Sequence, residues 1–234
     1  MDFKDNILQL AERIKKQKDA IQTEEATKNA FIMPIITALG YDVFNPFEVV
    51  PEMDCDLTRK GDKIDYAIKK DGKTIILIEC KHCKQNLDLH NTQLSKYYAA
   101  SNARFGVLTN GIEYRFYADL DKTNIMDEKP FLVVNMLDLS DADIEEMKKF
   151  HKSCYNESEI LSTAKELQMM IQINEILAKN FQSPGDEFTR YFVRSLNNGK
   201  STPKLIEEYR PIVRKSILSV IGGMISGRPD TALL

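Results

Sequence analysis

The 234-residue sequence lacks several features that mark large classes of protein. It has no run of about eighteen apolar residues, so no segment is expected to span a membrane. Its first residues, MDFKDNILQL, mix charged and apolar side chains and lack the apolar block of a secretory signal. The protein is therefore expected to stay in the cytoplasm. The 4 cysteines are too few and too scattered for a disulfide framework, which fits a reducing compartment.

The sequence also lacks a strong excess of charge and a phosphate-binding loop. A net charge of −3 argues against a protein that coats nucleic acid without specificity. No G-x-x-x-x-G-K-[ST] motif is present, so no ATP site is expected. Locally, residues 59–84 are rich in lysine and arginine with a few carboxylates among them. Such a segment suits a site that holds a phosphate backbone and a metal, but a solvated hairpin with lysines on its edges explains the charge equally well.

The spacing of apolar residues predicts an α/β domain followed by helices. Asp71-Gly72 lies between two apolar runs and predicts a hairpin turn. The run TIILI has no polar interruption, so its strand is expected to be central and buried on both faces. The predicted elements are helices over 3–21 and 24–40, a short strand within 41–51, strands over 63–69 and 73–81, a helix over 91–101, and strands over 103–109, 112–118 and 131–137.

From Asp141 onward the pattern is helical, with segments predicted over 157–180, 186–196 and 204–225. We therefore predict two parts: an α/β domain over 1–140 and a helical extension over 141–234. The extension is expected to mediate oligomerisation, to cover the sheet, or to bind DNA through Arg190, Arg194, Arg210, Arg214 and Lys215; the sequence leaves these alternatives open.

Charged side chains follow a strand that should be buried. Ile78 is followed directly by Glu79, Cys80 and Lys81, and alternation along a strand puts Glu79 and Lys81 on the same side. Asp65 lies in the preceding strand. Two carboxylates and a lysine at one sheet edge suit phosphodiester hydrolysis, because Mg²⁺ is usually held by one or two carboxylates and a lysine can orient or activate the attacking water.

The pairing of the two strands decides whether this site can assemble. A regular hairpin with a two-residue turn would place Asp65 opposite Ile78, on the wrong face for Glu79. A three-residue turn over 70–72 with a bulge would instead pair Asp65 with Leu77 and make Glu79 its diagonal neighbour. We predict that turn, or another bulge of equal effect.

The ordered motifs IDYAI, IECK and QLSKYY resemble the core of the PD-(D/E)XK nucleases, followed by the Q-x-x-x-Y motif of RecB-like nucleases. Over residues 20–137 the wider pattern resembles the N-terminal nuclease domain of type I restriction enzyme R subunits and its stand-alone phage or prophage relatives. The resemblance implies a restriction-endonuclease-like fold, with a mixed sheet flanked by helices in αβββαβ order. It implies that Asp65 and Glu79 are metal ligands, that Lys81 is the catalytic lysine, and that Gln93 and Tyr97 are accessory residues.

The resemblance also implies that Glu24 completes the metal site, although an acid that stabilises a helix N-terminus is an equally good explanation. Glu25 is an alternative for that role, and Glu48 and Glu52 are weaker candidates. A zinc site at Cys80 and Cys83 is not expected, because only His90 lies nearby as a further ligand.

The function that follows is a magnesium-dependent restriction-type DNA endonuclease, with manganese as an alternative metal. The competing interpretation is a noncatalytic nucleic-acid-binding or assembly subunit on a nuclease scaffold; a third is an RNA-directed nuclease with the same site. DNA is the expected partner, and a homodimer or a separate motor or specificity protein is left open.

Overall fold

The computed structural model describes residues 2–54, 63–89 and 91–226, and its contacts divide the chain into two compact units. The units are Met1–Gln168 and Met169–Leu234. The sequence placed the boundary after residue 140, but the structure places it later. The reason is that Ile144, Met147 and Ile160 are buried in the core of the first unit, so the first helices after residue 140 belong to it.

The first unit alternates helices and strands in the predicted order. Its elements are α1 (Phe3–Gln17), a 3-10 turn (Lys18–Ala20), α2 (Glu24–Thr27), a π-helical segment (Lys28–Ile32), α3 (Met33–Ala38), β1 (Val49–Asp54), β2 (Lys63–Lys70), β3 (Lys73–Cys80), a 3-10 turn (Leu87–Leu89), α4 (Asn91–Ala99), β4 (Phe105–Thr109), β5 (Glu113–Tyr117), β6 (Leu132–Asn135), α5 (Asp141–Lys148) and the first part of α6 (Glu157–Gln182).

The six strands form one mixed sheet in the order β1-β2-β3-β4-β5-β6. Only β3 and β4 are parallel, and α4 makes the crossover between them. The other neighbouring pairs are antiparallel. This mixed sheet flanked by helices confirms the predicted α/β class with a restriction-endonuclease-like core.

The central strand β3 is buried on both faces, as the uninterrupted apolar run predicted. Ile76 and Ile78 belong to a large core cluster that includes residues of α1, α3 and α5. Leu77 belongs to a second cluster, which includes Leu94 and Tyr98 of α4. The sheet is therefore covered by helices on both sides, and charged residues at its ends are held in place by two packed layers.

The turn between β2 and β3 differs from the predicted three-residue turn. Lys70 pairs with Lys73, so the turn has two residues, and both Asp71 (φ 51°) and Gly72 (φ 77°) adopt the left-handed conformation. The register shifts by one residue further along, where Ile68 pairs with Ile76 and Lys69 with Thr74, so that Ile75 is the additional residue. The bulge places Asp65 and Glu79 on one face, as the prediction required. The three-residue turn and the pairing of Asp65 with Leu77 are wrong, because Leu77 pairs with Ala67.

The helical segment from Glu24 to Ala38 begins and ends where the sequence predicted. The Thr23 side chain accepts a hydrogen bond from the Ala26 amide (3.0 Å), and Gly40 has a positive φ just beyond the end. Its centre is π-helical, immediately before Pro34. Proline has no N–H for the carbonyl of Ala30, four residues earlier, and the guanidinium of Arg13 donates to that carbonyl instead.

The second unit contains the last part of α6, α7 (Asp186–Leu196) and α8 (Pro203–Ser226). Arg210 of α8 donates to the Pro184 carbonyl (2.8 Å) and pairs with Asp186, which joins α8 to the start of α7. Many large apolar side chains of this unit are exposed, among them Met169, Met170, Ile173, Ile176, Leu218, Met224 and Ile225. In the described part of the chain, no helix is both long and apolar enough to cross a membrane.

Candidate active site

Strands β2 and β3 separate at Asp65. Their pairing ends with Tyr66 opposite Ile78, whereas β2 stays paired with β1 as far as Lys63. Beyond that point the Cys80 amide donates to Asp65 Oδ2 (2.7 Å), so a side chain replaces the backbone partner. Continuing the register by one step brings Asp65 level with Glu79. The bulge and the separation of the strands thus bring the two predicted carboxylates together.

Glu79 is a buried carboxyl group with incomplete pairing. Its side chain is 1% exposed, and Oε1 contacts the ammonium group of Lys81. Among the described residues, Oε2 has no hydrogen-bond partner. Burial raises the pKa of Glu79 to about 7 despite the ion pair with Lys81, and the negative charges of Asp65 and Glu24 act in the same direction as burial. A buried, unpaired carboxylate oxygen is ready to accept a cation.

The end of β3 is held by β4 as well as by Asp65. The Lys81 amide donates to the Thr109 carbonyl (2.8 Å), continuing the parallel pairing of Cys80 with Thr109. Because the backbone on both sides of Cys80 is hydrogen-bonded, the side chains of Glu79 and Lys81 start from fixed positions. The predicted E-x-K motif is therefore part of the sheet, not a freely solvated strand end.

Lys28 is a member of this cluster that the sequence reasoning missed. It lies at the start of the π-helical segment, and its ammonium group contacts Asp65 Oδ1. Glu25 Oε2 and Glu24 Oε1 lie 3.8 and 3.9 Å from the same nitrogen. Burial lowers the pKa of Lys28, but the hydrogen bond and charge of Asp65 outweigh it and raise the pKa above its usual range. The spacing of four residues from Glu24 was the available signal, because such residues are neighbours on a helix.

The other acidic candidates have different positions. Glu24 lies beside Lys28 at the edge of the cluster, with its side chain 41% exposed, and Glu25 is more exposed. Glu48 pairs with Lys152 (2.8 Å) and accepts from the Asp42 amide (3.2 Å). Glu52 pairs with Lys63 (3.0 Å). Glu48 and Glu52 therefore have partners outside the Asp65–Glu79 pair, whereas Glu24 remains close to it through Lys28.

Gln93 and Tyr97 lie on α4 but have different surroundings. The Gln93 side-chain amide donates to the Lys63 carbonyl (3.1 Å), which ties α4 to the start of β2. Tyr97 is buried in the core cluster between α4 and the sheet. Both side chains support the strand that carries Asp65. The basic residues predicted at 59–62 and the single histidine considered with the cysteines, His90, lie outside the described residues.

The donor set can be compared with the needs of a divalent cation. The described residues contain no group of three or more His, Cys, Asp or Glu side chains arranged around one position. Mg²⁺, however, is usually held by one or two carboxylates together with waters and phosphate oxygens. Asp65 and Glu79 supply two carboxylates, and one oxygen of Glu79 has no hydrogen-bond partner within the described ranges. Two carboxylates fit such an ion when waters or phosphate oxygens complete its coordination.

The mixed sheet and its flanking helices have the arrangement of a restriction-endonuclease-like core. In agreement, residues 45–125 match the family model for the type I restriction enzyme R protein N terminus. The match contains Asp65, Glu79 and Lys81, and it confirms over these residues the resemblance predicted from the motifs. Glu24 and Lys28 precede the matched segment. Comparisons with curated proteins and with solved structures gave no match.

Proposed function

We propose that the first unit is a metal-dependent endonuclease that hydrolyses DNA phosphodiester bonds, with magnesium as its metal and manganese as an effective replacement. One observation carries the proposal. Asp65 and Glu79 come from different strands and meet where those strands separate, and a buried oxygen of Glu79 has no hydrogen-bond partner among the residues that the structure describes. Burying a carboxylate without a partner is costly, so a structure that keeps one there favours a site that a cation completes.

The proposed roles follow from the chemistry of the side chains. A bound divalent cation would neutralise the charge that develops on the phosphate. Asp65 and Glu79 would hold it, and Glu24 could add an oxygen or a hydrogen bond to a bound water. Lys81, whose side chain is 14% exposed and contacts Glu79, is placed to orient the attacking water or to stabilise the negative phosphate. Gln93 and Tyr97 would hold α4 against β2, the strand that carries Asp65.

The proposal is tested by incubating the protein with supercoiled plasmid in Mg²⁺, in Mn²⁺ and with a chelator. Metal-dependent nicking or linearisation is expected from the wild type and not from Asp65→Asn, Glu79→Gln or Lys81→Met. Glu52→Gln serves as a matched control, because it removes a carboxylate from neighbouring strand β1 that pairs with Lys63 instead of with the site. Cleavage that persists in Glu79→Gln would show that another site is responsible. Competition with RNA identifies the preferred nucleic acid.

A second candidate function is a noncatalytic nucleic-acid-binding or assembly domain on the same scaffold. It is favoured by one observation: Lys28 and Lys81 already contact Asp65 and Glu79, so ammonium groups neutralise the two carboxylates without a metal. The same experiment separates the two functions. Binding of DNA without cleavage in any divalent metal supports the scaffold, and metal-dependent cleavage rules it out.

A further inference from the structure

Lys28 holds a position that resembles that of a bound cation. Its nitrogen contacts Asp65 Oδ1 and has carboxylate oxygens of Glu25 and Glu24 at 3.8 and 3.9 Å. Only 14% of its side chain is exposed, so the ammonium group is largely withdrawn from bulk water. A positive charge therefore lies among three carboxylates, and one of them, Asp65, is a proposed metal ligand.

We propose that Lys28 is an internal cation that competes with the divalent metal for Asp65, so that metal binding requires its ammonium group to leave that carboxylate. This inference rests on the proposed function, because it assigns Asp65 as a metal ligand. A metal ion and the Lys28 ammonium group would repel each other if both contacted Asp65 Oδ1. The lysine side chain is flexible, and the carboxylates of Glu24 and Glu25 lie near its ammonium group.

The alternative partners of Lys28 are already present in the structure. Glu24 and Glu25 lie four and three residues before it on the same helix, and both carboxylates are more exposed than Asp65. A short rotation of the lysine side chain would exchange Asp65 for either of them without moving the helix. The cluster therefore offers the ammonium group a second position, which a purely structural ion pair would not need.

The local backbone also supports a role at the site. Lys28 is the first residue of a π-helical segment. Turns of π-helix are rare in proteins, and those that occur are often found at functional sites. This segment is fixed from the other side, because the Thr27 hydroxyl accepts from the Cys83 amide (3.1 Å), just beyond the E-x-K motif. The backbone next to Lys28 is thus tied to the segment that directly follows the E-x-K motif.

The test compares Mn²⁺ binding by the wild type, Lys28→Met and Lys28→Arg, measured without DNA by titration calorimetry or by electron paramagnetic resonance of free Mn²⁺. Methionine keeps the apolar length of the side chain and removes the charge, whereas arginine keeps the charge. Lys28→Met is expected to bind Mn²⁺ at least fivefold more tightly than the wild type, and Lys28→Arg is not. Adding Asp65→Asn to Lys28→Met is expected to abolish the tighter binding. Lys28→Gln replaces the methionine variant if the latter does not fold.

Equal and measurable Mn²⁺ affinity in the wild type and Lys28→Met would overturn the competition while leaving the metal site intact. Weaker binding by Lys28→Met would also overturn it, because the lysine would then be supporting the site. Absence of Mn²⁺ binding in every variant would overturn the proposed metal-dependent function as well. Lys63→Met, which removes a positive charge paired with Glu52, controls for a general change in electrostatic attraction and is expected to change the affinity less than twofold.

Discussion

Two glycine turns lie at opposite ends of the central strands, and they differ in what surrounds them. Gly72 and Gly111 have the same φ of 77°, so their local conformations are alike. A Cβ atom at Gly72 would meet no atom of the described residues within 4 Å, whereas one at Gly111 would lie 2.9 Å from Phe31 Cβ and 3.1 Å from Thr27 Cγ2. The first turn only joins two strands. The second lies against the helix that carries Lys28, at the end of the sheet where Glu79 lies.

The Asp65–Glu79 pair and its two lysines lie at one end of the sheet, and the turn between β2 and β3 lies at the other. At the Gly111 end, β2 and β3 separate, and carboxylates are buried beside ammonium groups. At the Gly72 end, the strands close in a regular two-residue turn with charged, solvent-facing neighbours. Substitutions of the same chemical kind should therefore have very different effects at the two ends.

The largest difference is expected in activity. Asp65→Asn should reduce DNA cleavage by about 10³-fold or more, because a lost metal ligand costs several kcal/mol of transition-state stabilisation. Asp71→Asn makes the same chemical change at the opposite end of the hairpin, where asparagine tolerates the left-handed conformation, and should leave the rate within about twofold. Initial rates of plasmid cleavage under saturating metal measure both. Similar losses in the two variants would contradict the comparison.

A second difference is expected in stability. Gly111→Ala should lower the free energy of unfolding by about 2–4 kcal/mol, because it combines left-handed strain with overlap against Phe31 and Thr27. Urea denaturation followed by circular dichroism gives the value. A loss below about 1 kcal/mol would mean that the helix can move away from the turn at little cost.

The pH dependence of stability sharpens the contrast at the site. The pKa of Glu79 is raised from 4.5 to about 7, so folding favours its protonated form. Its stabilising contribution is complete below the unfolded value of about 4.5 and is lost as the pH rises through about 7. Glu79→Gln stays neutral, so relative to the wild type it should gain about 2–3 kcal/mol of stability between pH 5 and pH 8.5.

This gain is measured by urea denaturation in the absence of divalent metal across that pH range. Glu52→Gln is the control: the hydrogen bond and charge of Lys63 lower the pKa of Glu52, so its replacement should not produce a gain at high pH. A Glu79→Gln profile parallel to that of the wild type would show that Glu79 ionises at its ordinary pH.

The smallest effect is expected at the open turn. Gly72→Ala introduces the left-handed strain alone, since nothing lies near the added methyl group, and should cost about 1 kcal/mol. Metal affinity and cleavage rate per folded molecule should not change. The same denaturation experiment provides the stability, and a loss as large as that of Gly111→Ala would remove the distinction between the two turns.

The elements of the sheet could be predicted because their signals are local. Apolar runs mark β3 and β4, Asp71-Gly72 marks a turn, and the Thr23 cap and Gly40 mark a helix. The requirement for a one-residue shift followed from strand alternation alone. The position of the bulge at Ile75 could not be predicted in the same way. It depends on how the side chains of β3 pack into two core clusters, and that packing involves residues distant in the sequence.

The sequence named the strand residues of the candidate site and Glu24 of α2, but it did not name Lys28. Asp65 and Glu79 lie in neighbouring strands and Lys81 directly follows β3, so alternation and motif order were sufficient to group them. Lys28 reaches Asp65 only because a π-helical segment and a tertiary contact set the rotation of its helix. Rotation about a helix axis depends on packing against the rest of the molecule, and the sequence pattern around Lys28 does not specify it.

The thiol of Cys80 can report how often the end of β3 opens to solvent. It is completely buried between the two residues of the E-x-K motif, whereas Cys154 is exposed. A thiol reagent should modify Cys154 at once and reach Cys80 only when β3 transiently detaches from its neighbours. The difference between the modification rates of Cys154 and Cys80, measured by mass spectrometry, would give the rate at which the strand end opens.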